Sequence, residues 1–464
     1  MTVTPHHSVI IVVGTRPEAI KLVPVIRALH RSERFIPFVI TTGQHRDLVR
    51  DVLDKAGIRP DAELQLDREN GSLNELVAVL VQEFDQVVRS AFTMREEPEI
   101  DAARMRLGSL PVGVLVHGDT TSAFACALAA FHLQLPVLHV EAGLRAGRSN
   151  LTPFPEELNR RLIGEIAAMH FAPSEAAEEN LVRQGISASQ IMVTGNTAVD
   201  SILWAASLDV PSGIPELEAL LASDARLVVV TAHRRENWNG GLARIGRAVQ
   251  RLADAFPDVH FVAPLHPNPI VQRELGTLLF GRDNVTTMPA LAYWSFARLI
   301  ARAELIITDS GGIQEEAPSL DTPVFVTRSS TERMEGVDAG CIKVVGTDTD
   351  HIYHAVAHVL ADSEALQGMI TAHNPYGDGR AAERIVGSLA NMADADAEPP
   401  TSFGPGYDRL RVLEAANLPV PGSGANIDDL LDAELAGLIP LGFDTPPSQG
   451  GLVEEHVGEQ PATE

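Results

Sequence analysis

Five apolar runs in this chain each end in residues that could move protons or hold anions. "IIVVGTRPEAIK" ends in Gly14, Thr15 and Arg16, with Lys21 a turn later. "VLVHGDTTS" ends in His117, Gly118 and Asp119. "VLHVEAGLR" ends in Glu141 and Arg145, and "VVVTAHRREN" in His233 and Arg234. "LIITDSGGIQEE" ends in Asp309, Ser310, Gly311 and Gly312, with Glu316 one turn on. Carboxylates and a histidine gathered in one cleft suit proton transfer, and arginine and lysine beside them suit an anion. Glycines at a helix start let backbone N–H groups approach a phosphate. The "TDSGG" loop nevertheless matches neither the P-loop nor the dinucleotide fingerprint.

Each cluster also has an ordinary reading. Arg16 and Glu18 can pair on a surface turn, and Asp119 and Thr120 can be helix caps. Glu141 can be a buried structural group partnered by Arg145. "FPEEL", which contains Glu156, can be a proline-led helix start with acidic first-turn residues. His233 can belong to a solvated basic turn.

The elements that must place these residues alternate strand-like runs with helical patterns to about residue 365, which implies βαβ units and parallel sheets. In such sheets ligands lie beyond the carboxyl ends of the strands, where all five clusters fall. The Pro-, Gly- and Ser-containing stretch 207–226 interrupts the rhythm before a fresh strand, "LVVVTAH". It divides an N-terminal Rossmann-like domain, 1–206, from a second one, 207–376. A helix over 377–393 is expected to pack back on the first domain. The charged insertion 93–111 reads as a solvated helix and loop. The acidic tail 394–464 is expected to be mostly disordered, with one amphipathic piece at "IDDLLDAELAGL".

The net charge of −26 argues against broad nucleic-acid or anionic-membrane surfaces, and about half of it lies beyond residue 393. Two cysteines make neither a disulfide framework nor a metal cluster. The N-terminus has no signal-peptide pattern and no apolar run is long enough to span a membrane, so a cytoplasmic protein is expected.

The motifs "GTRPEAIKLVPVI", "TGQHRD", "HGDTTS", "VEAGLRAG", "PFPEELNRRLI", "VTGNTAVD", "TAHRREN", "PLHPNP", "TDSGGIQEEAPSL" and "TERMEGVDAG", in this order, resemble the non-hydrolysing UDP-N-acetylglucosamine 2-epimerases over about residues 8–390. The resemblance implies an α/β fold of two Rossmann-like domains arranged as in B-type glycosyltransferases, with an interdomain cleft and a homodimeric assembly. It implies reversible epimerisation of UDP-GlcNAc to UDP-ManNAc, supplying cell-surface polysaccharide precursors, by elimination and re-addition of UDP without a cofactor or metal. Asp119, Glu141, Glu156 and His233 then correspond to catalytic positions. Arg16, Lys21, Phe296, Ser310, Gly311, Gly312, Glu316 and Arg333 correspond to substrate-binding ones. Gln44, Arg234 and His266 match an allosteric site that takes a second UDP-GlcNAc in some bacterial members, although 66–73 lacks that site's Arg-Gln pair. Leu291 stands where the family often has Gln. The competing readings are a B-type glycosyltransferase, a hydrolysing epimerase that releases UDP and free ManNAc, and a nucleotide-sugar sensor with a dead site.

Overall fold

The computed structural model of the chain describes residues 7–66, 71–92, 111–146, 149–394, 396–404 and 407. Nearly all of the 93–111 insertion, and the amphipathic piece at 427–438, lie outside the described residues. Strands β1 (His7–Val13), β2 (Phe35–Thr41), β3 (Ala62–Glu63), β4 (Gly113–His117), β5 (Val137–Val140), β6 (Met169–Ala172) and β7 (Ile191–Val193) form one parallel sheet, ordered β3-β2-β1-β4-β5-β6-β7. Strands β8 (Arg226–Thr231), β9 (Val259–Leu265), β10 (Val285–Pro289), β11 (Leu305–Thr308), β12 (Val324–Val326) and β13 (Ile342–Val344) form a second, ordered β10-β9-β8-β11-β12-β13. These are the two doubly wound units of the B-type glycosyltransferase architecture. The strand residues are almost all buried, because helices cover both faces of each sheet.

Strand order reverses beside the first strand of each sheet, at β1/β4 and at β8/β11. A crevice opens at such a switch point because the flanking connections leave in opposite directions. The clusters after β1, β4, β8 and β11 sit at these two points, and that after β5 sits one strand further along.

Local sequence explains the helices that carry the site. Arg16–Arg31 starts at Thr15 with Pro17 in its first turn, and buries Ala19, Leu22, Val23, Ile26 and Leu29 at helical spacing. Thr121–His132 is capped by Thr120, whose side chain accepts from Ala123 N at 3.0 Å. Trp204, on the helix Thr197–Ser207, packs edge-on against Trp294 of the second unit at 5.1 Å between ring centroids. The chain then returns: Asp200 accepts from Ala381 N and Ala382 N, and the helix Ala381–Ala393 buries Ala382, Ile385 and Leu389 in the core beneath β1.

The disorder expected from residue 394 does not begin there. Residues 396–404 lie on the N-terminal unit, where Phe403 N donates to Val193 O at 2.8 Å, beside the edge strand β7. The Phe403 side chain is buried with Ala142, Leu181 and Val193, and the Tyr407 hydroxyl donates to the buried Glu178 carboxylate at 2.8 Å. Two aromatic anchors outweigh a composition that would otherwise leave the segment loose. The tail from 408 lies outside the described residues.

Candidate active site

Glu141 follows β5 and adopts φ of 61°, a left-handed backbone that glutamate rarely uses. Its carboxylate pairs with Lys21 from the helix after β1, and the His117 ring nitrogen Nε2 lies 3.7 Å away. Burial alone would raise the Glu141 pKa; Lys21, His117 and Arg160 override it and hold the carboxyl at about 2. Lys21 is pulled down by burial, but Glu141, Glu315 and Glu316 push it up to about 12. That coupling to Glu315 and Glu316 crosses the cleft between the units. Burial pushes His117 down to about 4, and its Nε2 is buried without a hydrogen-bond partner among the described residues. Arg145, the partner expected of a purely structural Glu141, instead donates to Leu144 O and to Gln184.

Asp119 follows β4 and pairs with Arg160, while Asn159 Nδ2 donates to the Asp119 carbonyl at 2.9 Å. Burial raises the Asp119 pKa, with Arg160 opposing and Glu141 adding to it. Both partners come from the helix Glu156–Ile166, which Glu156 opens. Glu156 is half-buried. Glu157 beside it is fully buried and pairs with Arg160 and Arg161. Arg16 is half-buried, and its side chain has no ion pair among the described residues. Glu18 is not its surface partner but a buried carboxyl, which burial raises to about 7 against the donors around it.

On the other unit, Asp309 is fully buried. It accepts from His233 N at 3.0 Å, Arg234 N at 2.9 Å and Asn237 Nδ2 at 2.8 Å. Asp309 therefore holds the loop after β8 in place rather than capping its own helix. His233 stacks on His266 at 5.4 Å between ring centroids and is lowered by burial, with Asp309 opposing. A Cβ added at Gly311 would lie 3.1 Å from Arg234 Nη2 and 3.2 Å from Arg333 Cζ, whereas one at Gly312 would meet open space. Two guanidinium groups thus crowd the "SGG" turn. The helix there spans only Gly311–Glu316. Ser310 is its N-cap residue, and Arg333 is bound to Glu315 at 2.8 Å and to Glu332 at 3.2 Å.

Glu316 is raised to about 7 by burial, with Lys21 opposing it, Glu315 adding to it and Tyr293 opposing it. The Tyr293 hydroxyl donates to it at 3.3 Å. Phe296, one turn further on, packs at the rim of the second core with Leu291. Gln44 accepts from Ser122 on the first unit. Among the described residues no cluster of His, Cys, Asp and Glu is placed to hold a metal ion.

In the sequence His117 and Asp309 stand out only as polar strand ends, and neither Arg160 nor Tyr293 belongs to a strand-end cluster. Arg160 had one available signal, its position four residues after Glu156 on the same helix face.

The sequence profile of the family described as UDP-N-acetylglucosamine 2-epimerase matches residues 27–390. The UDP-N-acetylglucosamine 2-epimerase of Yersinia pestis is 40% identical over 388 residues, covering 82% of this chain and 98% of that one. That of Bacillus subtilis is 40% identical over 396 residues, covering 85% and 98%. The solved structure of UDP-GlcNAc 2-epimerase from Neisseria meningitidis bound to UDP-GlcNAc is 36% identical, covers 83% of this chain and 100% of its own, and has a TM-score of 0.68. The chain belongs to the UDP-N-acetylglucosamine 2-epimerase family.

Proposed function

We propose that this chain interconverts UDP-GlcNAc and UDP-ManNAc at the cleft between its two units, by elimination and re-addition of UDP. The observation that carries this reading is the buried Lys21–Glu141 pair, with His117 beside it and Glu316 across from it. In the forward step a carboxylate takes the C2 proton, the C1–O bond breaks and its electron pair leaves with the diphosphate. The sugar becomes a glycal. UDP then attacks C1 again, and a proton is delivered to C2 from the other face. The step needs a base and an acid on opposite faces and a fixed cradle for UDP throughout.

Asp119, Glu141 and Glu156 are the proton-transfer groups in this reading. Paired with Lys21, Glu141 is too acidic to be a strong base, because Lys21 stabilises its anion. A diphosphate that draws the Lys21 ammonium away raises the basicity of Glu141, so arrival of substrate arms the base. Arg16, His233, Arg234 and Arg333 hold the departing diphosphate beside Ser310, Gly311 and Gly312. His233, kept neutral by burial, gains affinity for a proton once that anion is next to it. Glu316 accepts from the ribose hydroxyls, and Phe296 lies along the uridine.

Incubating the purified chain with UDP-GlcNAc and following products by NMR tests the reading. UDP-ManNAc at equilibrium with substrate is the expected result. Free ManNAc with UDP would indicate the hydrolysing reaction, and no reaction would reject catalysis.

A cytoplasmic homodimer is part of the same proposal. Leu158 and Leu162 are exposed at four-residue spacing on the Glu156–Ile166 helix, Phe154 is exposed just before it, and Phe131 is exposed on the helix Thr121–His132 that packs against it. Apolar exposure of this kind suits a second copy of the chain. Both cysteines are buried and unpaired, as a reducing compartment permits, and no helix among the described residues is long and apolar enough to cross a membrane. Light scattering reads the mass, and a monomer at working concentration would end the dimer proposal. Fractionation of cells tests the compartment.

A further inference from the structure

Glu18 takes no part in the chemistry above, yet it is only 3% exposed. Burying a carboxylate costs several kcal/mol unless donors surround it, about 2–7 kcal/mol for an uncompensated polar group and more for a charge. Here one oxygen, Oε2, accepts from Gly14 N at 3.1 Å and from Thr15 N, and the other, Oε1, accepts from the Thr120 hydroxyl at 2.6 Å. A capping box accounts for the backbone contact at the helix start. It does not account for the Thr120 bond, which reaches 102 residues along the chain to a different loop.

The two loops that Glu18 joins follow β1 and β4, the neighbouring strands at the switch point of the first sheet. The first carries Arg16 and leads to Lys21; the second carries Asp119. They meet without slack, since a Cβ at Gly14 would come within 2.7 Å of Ser122 Cβ and 2.9 Å of Glu18 Oε2. We infer that Glu18 is a positioning residue, a clasp between the Arg16 and Asp119 loops. It fixes the distance from a proton-transfer carboxylate to the cations that receive the diphosphate. The inference rests on the epimerase reading and adds a residue that touches no substrate.

The clasp can be opened from either end. Glu18→Gln keeps an acceptor oxygen for the Gly14 and Thr15 N–H groups. It turns an amide N–H₂ towards Thr120 Oγ1, which already accepts from Ala123 N. The helix cap survives, and the charge-assisted bond that Thr120 donates gives way to a weaker neutral one in which Thr120 Oγ1 accepts. Thr120→Ala removes the link outright, together with the cap on Ala123 N, and leaves Glu18 in place. Misplacing a reacting group by about 1 Å costs on the order of 100-fold in rate. Each variant should therefore lower kcat about 10- to 100-fold, with KM for UDP-GlcNAc and Kd for UDP within about threefold of wild type. The double variant should be no slower than Thr120→Ala, because that variant already removes the whole of the interaction that Glu18→Gln weakens.

Wild-type turnover in the same assay tests the epimerase reading separately. With wild-type turnover established, unchanged kcat in both single variants overturns the clasp. So do multiplicative losses in the double variant, or a loss of UDP affinity that matches the loss of kcat. If Glu18→Gln fails to fold, Thr120→Ala decides alone by its KM-against-kcat split.

Discussion

The two sides of the cleft handle charge in different ways. On the N-terminal side the principal carboxylates are each tied to a cation, Glu141 to Lys21 and Asp119 to Arg160. Protonation there is set by partners that a substrate can displace. On the C-terminal side the backbone does the holding. Asp309 secures the His233 loop through N–H groups and Asn237, and Gly311 lies against Arg234 and Arg333. The first arrangement suits groups whose proton affinity must change during a reaction; the second suits a ligand that must stay bound while its bond to the sugar breaks. The comparison teaches that losses on the first side should appear in turnover and losses on the second in nucleotide affinity.

The largest expected effect is on turnover. Asp119→Asn and Glu141→Gln should each lower kcat by about 100-fold or more, the usual scale for loss of an acid or base. UDP affinity by calorimetry should stay within a few-fold. Near-normal turnover in both, or a matching collapse of UDP binding, would break the division of labour.

Next comes the nucleotide side. Glu316→Ala should weaken UDP by about 1.5–3 kcal/mol, the range for hydrogen bonds to a charged group, and a dideoxyribose analogue far less. Gly311→Val places a branched side chain against Arg234 and Arg333. It should weaken UDP and UMP alike by about 1–3 kcal/mol, the typical cost of overpacking. Equal losses of both ligands in Glu316→Ala would show that this glutamate does not read the ribose.

The smallest effect on catalysis concerns the C-terminal segment, which lies beyond the family match ending at residue 390. Phe403→Ala, or a chain ending at 393, removes a buried aromatic anchor from the N-terminal unit. Thermal unfolding should show a loss of about 3 kcal/mol, the low end for deleting a buried phenylalanine. The kcat of the folded protein should not change. Full stability in both variants would return this segment to the disorder expected from its composition.

The parallel sheets and the clustering at strand ends were legible in the sequence because continuous Val/Ile/Leu runs and the polar residues after them are local patterns. Partnership was not legible. Lys21 and Glu141 are 120 positions apart, and Asp119 meets Arg160 41 positions on; only the strand order brings them together. Asp309 stands just before a helix start, where aspartate commonly caps, and its actual donors lie in another βα loop. Residues 396–404 have no periodicity, and what orders them is a groove formed by distant residues. Glu18 was visible only as a first-turn acid, since its burial depends on the Thr120 loop.

The most direct test of the account is the reaction of the wild-type chain with UDP-GlcNAc in D₂O, read by NMR at C2 of the product. Proton removal and return by side chains that exchange with solvent predicts deuterium at C2 of the UDP-ManNAc formed, and with time in the recovered UDP-GlcNAc. UDP-ManNAc formed without deuterium at C2 would contradict elimination and re-addition through these carboxylates.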